Sequence, residues 1–101
     1  MGKYNVRTLP IAERDIDAAT LYLVEEEPAA ALSFLDGLEQ LEERLSDFPA
    51  SGAPVRDKEY AEKGYRFMMV YRYYVFYIFR DETVWIARVL HSHRDYTKLL
   101  E

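Results

Sequence analysis

The chain has 101 residues, of which 50% are hydrophobic and 15% aromatic, and it carries no cysteine and a net charge of −5. This length gives room for one hydrophobic core, so a single domain over residues 1–101 is expected. The composition excludes a disordered chain, a disulfide framework and a thiolate metal site. No apolar run has the length of a signal peptide or a membrane span, which predicts a cytoplasmic protein without a membrane partner.

The charge is divided unevenly along the chain. Residues 1–50 carry four Lys/Arg against eleven Asp/Glu, whereas residues 51–101 carry nine against seven. An acidic first half and a mildly basic second half predict surfaces of different sign. The acidic half also has a plainer explanation, because solvated helix surfaces are commonly acidic.

The first fifty residues predict one strand and two helices. Residues 3–8 alternate in polarity, which indicates a half-buried edge strand that joins a sheet. From Pro10 the apolar residues recur at the spacing of one helix face, and Pro28 ends that helix and starts a second. The first face consists of Ala12, Ile16, Ala19 and Leu23. The second helix carries a stripe of Leu32, Leu35, Leu38, Leu41 or Glu42, Leu45 and Phe48. Two helices joined by so short a link predict an antiparallel hairpin.

Residues 65–90 predict three consecutive antiparallel strands, because they are rich in aromatic and β-branched side chains and are interrupted by charged turns. The middle strand, over residues 73–79, is apolar on both faces and therefore belongs in the centre of the sheet. Residues 49–64 predict a surface loop, and Ser92 opens a short final helix. The fold class is α+β: an antiparallel sheet of about four strands with the helical hairpin on one face, in the order β-α-α-β-β-β.

The candidates for chemistry are basic and aromatic residues near the end of the sheet. Arg66 and Arg88 interrupt apolar strands, and a charged side chain there needs water or a partner. If both arginines lie on the face without the hairpin, they approach a polar tail. That tail contains His91, His93, Arg94, Tyr96 and Lys98. Such a cluster can hold phosphates and move protons near neutral pH.

Two simpler interpretations stand beside this one. Arg66 or Arg88 can pair with an acidic residue, for which the candidates are Glu59, Glu62 and Asp95. The two histidines have no third ligand at a suitable spacing, so neither a metal ion nor another cofactor is expected.

An ordered set of short motifs spans nearly the whole chain. It consists of Tyr4-Asn5-Val6, Asp15-Ile16, Phe34-Leu35, Phe48-Pro49, Gly64-Tyr65-Arg66, Tyr74-Val75-Phe76-Tyr77, Arg88-Val89-Leu90-His91 and Arg94-Asp95. In this order the motifs resemble the RelE/ParE superfamily of type II toxin–antitoxin toxins. RelE-like members of that superfamily are ribosome-dependent mRNA endoribonucleases, and ParE-like members poison DNA gyrase.

The resemblance favours the ParE-like branch, because the positions similar to the basic residues of the ribonucleases hold Met68, Tyr74 and Ser92. An enzyme is therefore expected only under the alternative, in which the partners are the ribosome and mRNA. The catalytic residues would then be Arg66, His91, Arg94 and Tyr96. In the gyrase poison, the residues expected to bind the target or its phosphates are Arg66, Arg88, His93, Arg94 and Lys98.

Both branches imply a cognate antitoxin and no small-molecule substrate. By resemblance, the antitoxin tail wraps the toxin as a helix against the hairpin and as a strand on the sheet edge. The residues expected to bind it are Ile16, Leu23, Leu35 and Leu38. Growth inhibition and plasmid stabilisation are implied as well. A third class stays open, in which the protein binds its antitoxin without being toxic.

Overall fold

The computed structural model describes residues 2–93 of the protein. The elements are β1 (Asn5–Thr8), α1 (Pro10–Glu26), α2 (Pro28–Asp47), β2 (Ala53–Pro54), α3 (Lys58–Glu62), β3 (Tyr65–Val70), β4 (Tyr73–Arg80) and β5 (Thr83–His91). The α+β class and the two proline-initiated helices are confirmed. The final helix expected after Ser92 lies outside the described residues, apart from a turn at 92–93.

The strands form a five-stranded sheet in the order β1-β5-β4-β3-β2. β4 lies at its centre, as its two apolar faces predict, and it pairs antiparallel with both β3 and β5. The expectation of about four antiparallel strands is wrong in two details. β2 adds a fifth strand of two residues, too short for alternation to reveal it. β1 joins β5 in parallel, and the alternation of a strand carries no information about its direction.

The main core lies between the helical hairpin and one face of the sheet. Phe34 and Leu45 of α2 are 0% exposed, and they pack in one cluster with Val75 and Tyr77 of β4. Tyr74 and Phe76 point the other way and belong to a second cluster. The alternation predicted for the middle strand is therefore confirmed.

The apolar stripe predicted for the second helix is wrong at three positions. Leu32, Leu35 and Phe48 are 68%, 41% and 61% exposed, whereas Phe34 fills the core. Successive steps of three residues each fall about 60° short of a full turn, so a 32–35–38 series drifts around the helix. The buried face instead follows Ala31, Phe34, Leu38, Leu41 and Leu45.

The second face of the sheet is partly covered by residues from the segment 49–64. Val55 and Tyr60 pack against Phe76 and Leu90, and Asp57 caps α3 by accepting a hydrogen bond from the Tyr60 amide at 3.2 Å. The segment predicted as a plain loop therefore contains β2 and α3. It reduces the open sheet face on which the basic residues were expected to gather.

Candidate functional site

Arg88 forms a bidentate ion pair with Asp15. Arg88 Nε lies 2.8 Å from Asp15 Oδ2, and Arg88 Nη2 lies 3.0 Å from Asp15 Oδ1. The two side chains are only 12% and 13% exposed. The hydrogen bonds to Asp15 raise the pKa of Arg88, against the opposing effect of burial. The guanidinium is therefore engaged within the chain, as the pairing interpretation allowed, although Asp15 was not among the partners considered.

Asp15 also completes the hydrogen bonding of the sheet at the point where β1 ends. β1 pairs with β5 only as far as Thr8, which lies opposite Ile86. Beyond that point, Asp15 Oδ2 accepts a hydrogen bond from the Val89 amide at 3.0 Å. A half-buried amide needs such a partner. One carboxylate thus holds both the Arg88 side chain and the backbone of β5.

Arg66 belongs to a separate network that fixes the loop before β2. Its Nη1 donates to the Gly52 carbonyl at 2.7 Å. The Gly52 amide donates to the Tyr77 hydroxyl at 2.8 Å, and that hydroxyl donates to the Pro49 carbonyl at 2.8 Å. Burial raises the pKa of Tyr77. A side chain at position 52 would place its Cβ 2.8 Å from the Phe67 carbonyl oxygen, so this close approach requires glycine.

The Tyr77 network gives a first testable prediction. Tyr77→Phe removes the hydroxyl and leaves the Gly52 amide and the Pro49 carbonyl without their partner, which should lower the free energy of unfolding by about 1–3 kcal/mol. Urea denaturation of the purified chain measures this loss. The matched control is Tyr22→Phe, because Tyr22 is 60% exposed. Equal stabilities of the two variants would contradict the role given to Tyr77.

His91 lies at the end of β5, in a groove between α1 and the sheet. Its ring meets the Tyr73 ring edge-on at 5.3 Å and lies 5.1 Å from the His93 ring. The Nδ1 atom of His91 accepts a hydrogen bond from the His93 amide at 3.2 Å, so the proton of the neutral ring sits on Nε2. Tyr22 lines the groove from α1. The flat rings of His91, His93 and Tyr22 can pack against the surface of another macromolecule.

The turn between β3 and β4 closes one end of this groove. Tyr71 has a φ of 55°, which is uncommon for a residue other than glycine. Its hydroxyl donates to Glu27 Oε2 at 2.6 Å, and this hydrogen bond raises the pKa of Tyr71. Arg72 Nη1 lies 4.0 Å from Glu27 Oε1. The link between the two helices therefore anchors the turn beside His91.

Two residues of the ribonuclease alternative, Arg66 and His91, lie apart on the sheet. Arg66 lies opposite Tyr77, and His91 lies opposite Tyr73. Four residues along β4 correspond to about 13 Å, and Arg66 and His91 lie on the two strands that flank β4. Arg66 and Arg88 are also held in different networks, Arg66 by the Gly52 carbonyl and Arg88 by Asp15. Arg94, Tyr96 and Lys98 lie outside the described residues.

The residues expected to bind an antitoxin fall into two groups. Leu23 and Leu38 are 2% and 7% exposed and belong to the core, so their assignment to a binding surface is not supported. Ile16 is half-buried, and Leu35 is 41% exposed. The apolar side chains that the hairpin exposes belong to other residues, close in sequence to these four. A helix that buries one face turns its remaining positions towards the solvent.

Sequence reasoning missed several residues that organise this end of the molecule. Asp15 enters the sequence analysis only as part of a motif, and Glu27 has no predicted role there. Tyr77 was placed correctly in the sheet, but its hydroxyl partners lie 25 and 28 residues away. No signal in the sequence separates Asp15 from its neighbours, because Asp17 flanks Ile16 in the same way and is exposed.

Metal sites and membrane spans were searched in the part of the chain that the structure describes. Within residues 2–93, no three acidic or histidine side chains come together as ligands for a metal ion. No helix in the same range combines the length and the apolar character needed to cross a membrane.

Comparisons with known proteins agree with the fold. The chromosomal ParDE toxin–antitoxin system from P. aeruginosa has a chain that is similar with a TM-score of 0.71 and 16% identity, covering 88% of this chain and 96% of that one. The toxin–antitoxin complex RelBE2 from Mycobacterium tuberculosis has one with a TM-score of 0.62 and 28% identity, covering 90% and 93%. The fold is thus that of the RelE/ParE superfamily.

The sequence comparison gives the family within that superfamily. Residues 6–96 match the sequence model of the ParE toxin of the type II toxin–antitoxin system parDE. Because the match covers most of the chain, the protein belongs to this family, in agreement with the resemblance found in its motifs. No curated protein sequence matches the chain.

Proposed function

We propose that the protein acts in the cytoplasm as a growth-inhibiting toxin that poisons DNA gyrase. The observation that carries this proposal is the separation of Arg66 from His91 by about 13 Å along β4. A ribonuclease must bring its acid–base groups and its charge-stabilising donor within hydrogen-bond reach of one phosphate. Arg66 instead donates to the Gly52 carbonyl at 2.7 Å, which supports a structural role for Arg66 rather than a role at a shared phosphate site with His91.

A gyrase poison needs a contact surface rather than a catalytic set, and the groove at the end of the sheet supports such a surface. Tyr22 and His91 line it, and Arg72 stands at its rim. His93 is exposed just beyond it. We place the target contact there, continuing into Arg94 and Lys98. Arg88 supports this surface from within through its ion pair with Asp15, whereas Arg66 holds the loop before β2, away from the groove.

A cognate antitoxin is the second partner of the proposed function. The two similar solved structures are a ParDE system and a RelBE2 complex, which supports a partner of the same kind for this chain. We place it on the outside of the helical hairpin, with Leu35 among its contacts and Ile16 at the margin. Leu35 is the residue of the expected set that the fold leaves open to a partner, at 41% exposure.

A direct assay distinguishes the possible targets. The purified chain is incubated with gyrase and plasmid DNA, and separately with translating ribosomes. We expect gyrase-linked DNA breaks in the first reaction and no codon-phased mRNA cuts in the second. Expression of the chain alone should slow bacterial growth, and coexpression of the antitoxin encoded next to it should restore growth. Codon-phased cuts would contradict the gyrase proposal, and unimpeded growth at verified soluble expression would indicate a protein that only binds its antitoxin.

The size of a single-residue effect separates the same alternatives. In a gyrase poison, His91→Ala removes one contact of many and should weaken gyrase binding by about 1–2 kcal/mol. In a ribonuclease the same change would slow cleavage by about 100-fold or more, the scale of a lost acid–base group. Deletion of residues 94–101 should abolish gyrase poisoning, because it removes Arg94 and Lys98, which are proposed to bind the target.

A further inference from the structure

The outer surface of the helical hairpin carries exposed apolar side chains near the link between α1 and α2. Leu21 and Val24 of α1 are 64% and 53% exposed, and Leu32 and Leu35 of α2 are 68% and 41% exposed. Each pair is three residues apart, so its members lie on one side of their helix. The link at Glu27 places the last turns of α1 beside the first turns of α2. These four residues are called the hairpin patch below.

Acidic residues continue the hairpin patch along both helices. Asp17 precedes Leu21 by four residues, Asp36 follows Leu32 by four, and Glu39 follows Leu35 by four, and all three are exposed. Residues at this spacing are neighbours on a helix surface. None of the three forms an ion pair with another described residue between 2 and 93. The apolar patch therefore has an unneutralised acidic border.

The hairpin as a whole also carries a net negative charge. Residues 10–47 contain eleven Asp/Glu and two Lys/Arg, Arg14 and Arg44. Along α2, partial burial and the neighbouring charge of Glu39 raise the pKa of Glu42. Crowded like charges of this kind are relieved by a positive partner and made worse by a negative one.

We infer that the hairpin patch binds a basic amphipathic segment, in which apolar side chains enter the patch and flanking Lys or Arg side chains pair with Asp17, Asp36 and Glu39. The inference rests on the proposed function, because it specifies the chemistry of the antitoxin segment that covers the hairpin. The charge disfavours two other occupants. Nucleic acid is itself an anion, and a second copy of this hairpin would bring acidic surfaces together.

A basic segment on an acidic surface has a recognisable thermodynamic and kinetic signature. Attraction between the two surfaces speeds association at low salt, and screening reduces it as the ionic strength rises. The same border repels acidic segments of otherwise similar shape, so it selects among antitoxins. On this inference, the acidic half of the chain is more than a solvated helix surface: its charge determines the choice of partner.

The inference is tested with two synthetic helical peptides that share their apolar positions and differ only in carrying Lys or Glu at the flanking positions. Binding to the full chain is followed by fluorescence anisotropy at about 50 mM and about 300 mM salt. We expect the Lys peptide to bind at least tenfold more tightly than the Glu peptide at low salt, and to lose most of this advantage at high salt. Equal binding of the two peptides, or binding of neither, would overturn the inference.

Charge-reversal variants locate the effect on the hairpin. Asp36→Lys/Glu39→Lys should weaken binding of the Lys peptide about tenfold. The matched control, Glu62→Lys/Glu82→Lys, makes the same charge change at two exposed positions away from the hairpin and should leave binding within about twofold. Circular dichroism verifies that both variants fold. Equal loss in test and control would show a general charge effect and overturn the location.

The adjacent antitoxin separates this inference from the proposed function. If it binds the wild type and Asp36→Lys/Glu39→Lys equally, with no dependence on salt, the inference fails and the proposed function stands. If it does not bind the wild type at all, the proposed function fails. A salt-dependent complex that the double reversal weakens supports both.

Discussion

Replacing Asp15 by alanine is expected to lower the free energy of unfolding by about 3–5 kcal/mol, because it breaks the mostly buried ion pair with the Arg88 guanidinium. The change breaks the two contacts of 2.8 and 3.0 Å to Arg88 together with the hydrogen bond from the Val89 amide. The loss is large for a single substitution because one carboxylate serves three donors. Denaturant unfolding of the purified chain measures it.

Companion variants assign this loss to the buried pair. Asp17→Ala alters an exposed carboxylate of the same helix and should change stability by less than about 0.5 kcal/mol. Asp15→Ala/Arg88→Met should recover part of the loss, since the mostly buried positive charge of the broken pair is removed as well. If Asp15→Ala were no more harmful than Asp17→Ala, the ion pair would not hold the end of β5.

The ion pair also has a functional consequence. It joins α1 to β5 at the groove itself, which Asp15 and Val89 line together with His91. Arg88 was expected to contact the target, yet its geometry makes it a positioning residue for this surface. Loss of toxicity in an Asp15 variant would therefore reflect displacement of the groove rather than loss of a direct contact.

The parts of the fold that the sequence predicts well are those fixed by local chemistry. Pro10 and Pro28 begin the two helices, because proline suits the first helical turn and disfavours a helical residue before it. The two apolar faces of β4 place it at the centre of the sheet, because each face needs a cover. These constraints act over a few residues and can be read without knowing the rest of the chain.

The candidate site was harder to predict because its contacts join distant parts of the chain. Arg88 and Asp15 are 73 residues apart, and nothing in the sequence alone selects Asp15 over the other ten acidic residues of the first half. The burial of Arg66 against Gly52 depends on the path of a loop that has no periodic signal. Family membership followed more reliably from the ordered motifs than from any one basic residue.

The last prediction contrasts two neighbouring residues of α2 that the sequence presents as similar. Phe34 is 0% exposed and its ring lies 4.9 Å from that of Tyr73, whereas Leu32 is 68% exposed. Phe34→Ala should therefore lower the free energy of unfolding by about 3–5 kcal/mol, through lost burial and the cavity left behind. Leu32→Ala should change stability by less than about 0.5 kcal/mol. Urea denaturation of both variants measures the contrast.

Binding of the antitoxin gives a second comparison, in which the Leu32 variant rather than the Phe34 variant is informative. Leu32 belongs to the hairpin patch, so Leu32→Ala should weaken the complex with the antitoxin while the chain stays folded. Titration of the folded variant with the purified antitoxin measures this effect, and Ala29→Ser at another exposed position of the first turn of α2 is the control. A Leu32 variant that is destabilised as strongly as Phe34→Ala would mean that position 32 is part of the core. A folded Leu32 variant with unchanged antitoxin affinity would instead move the partner away from the hairpin patch.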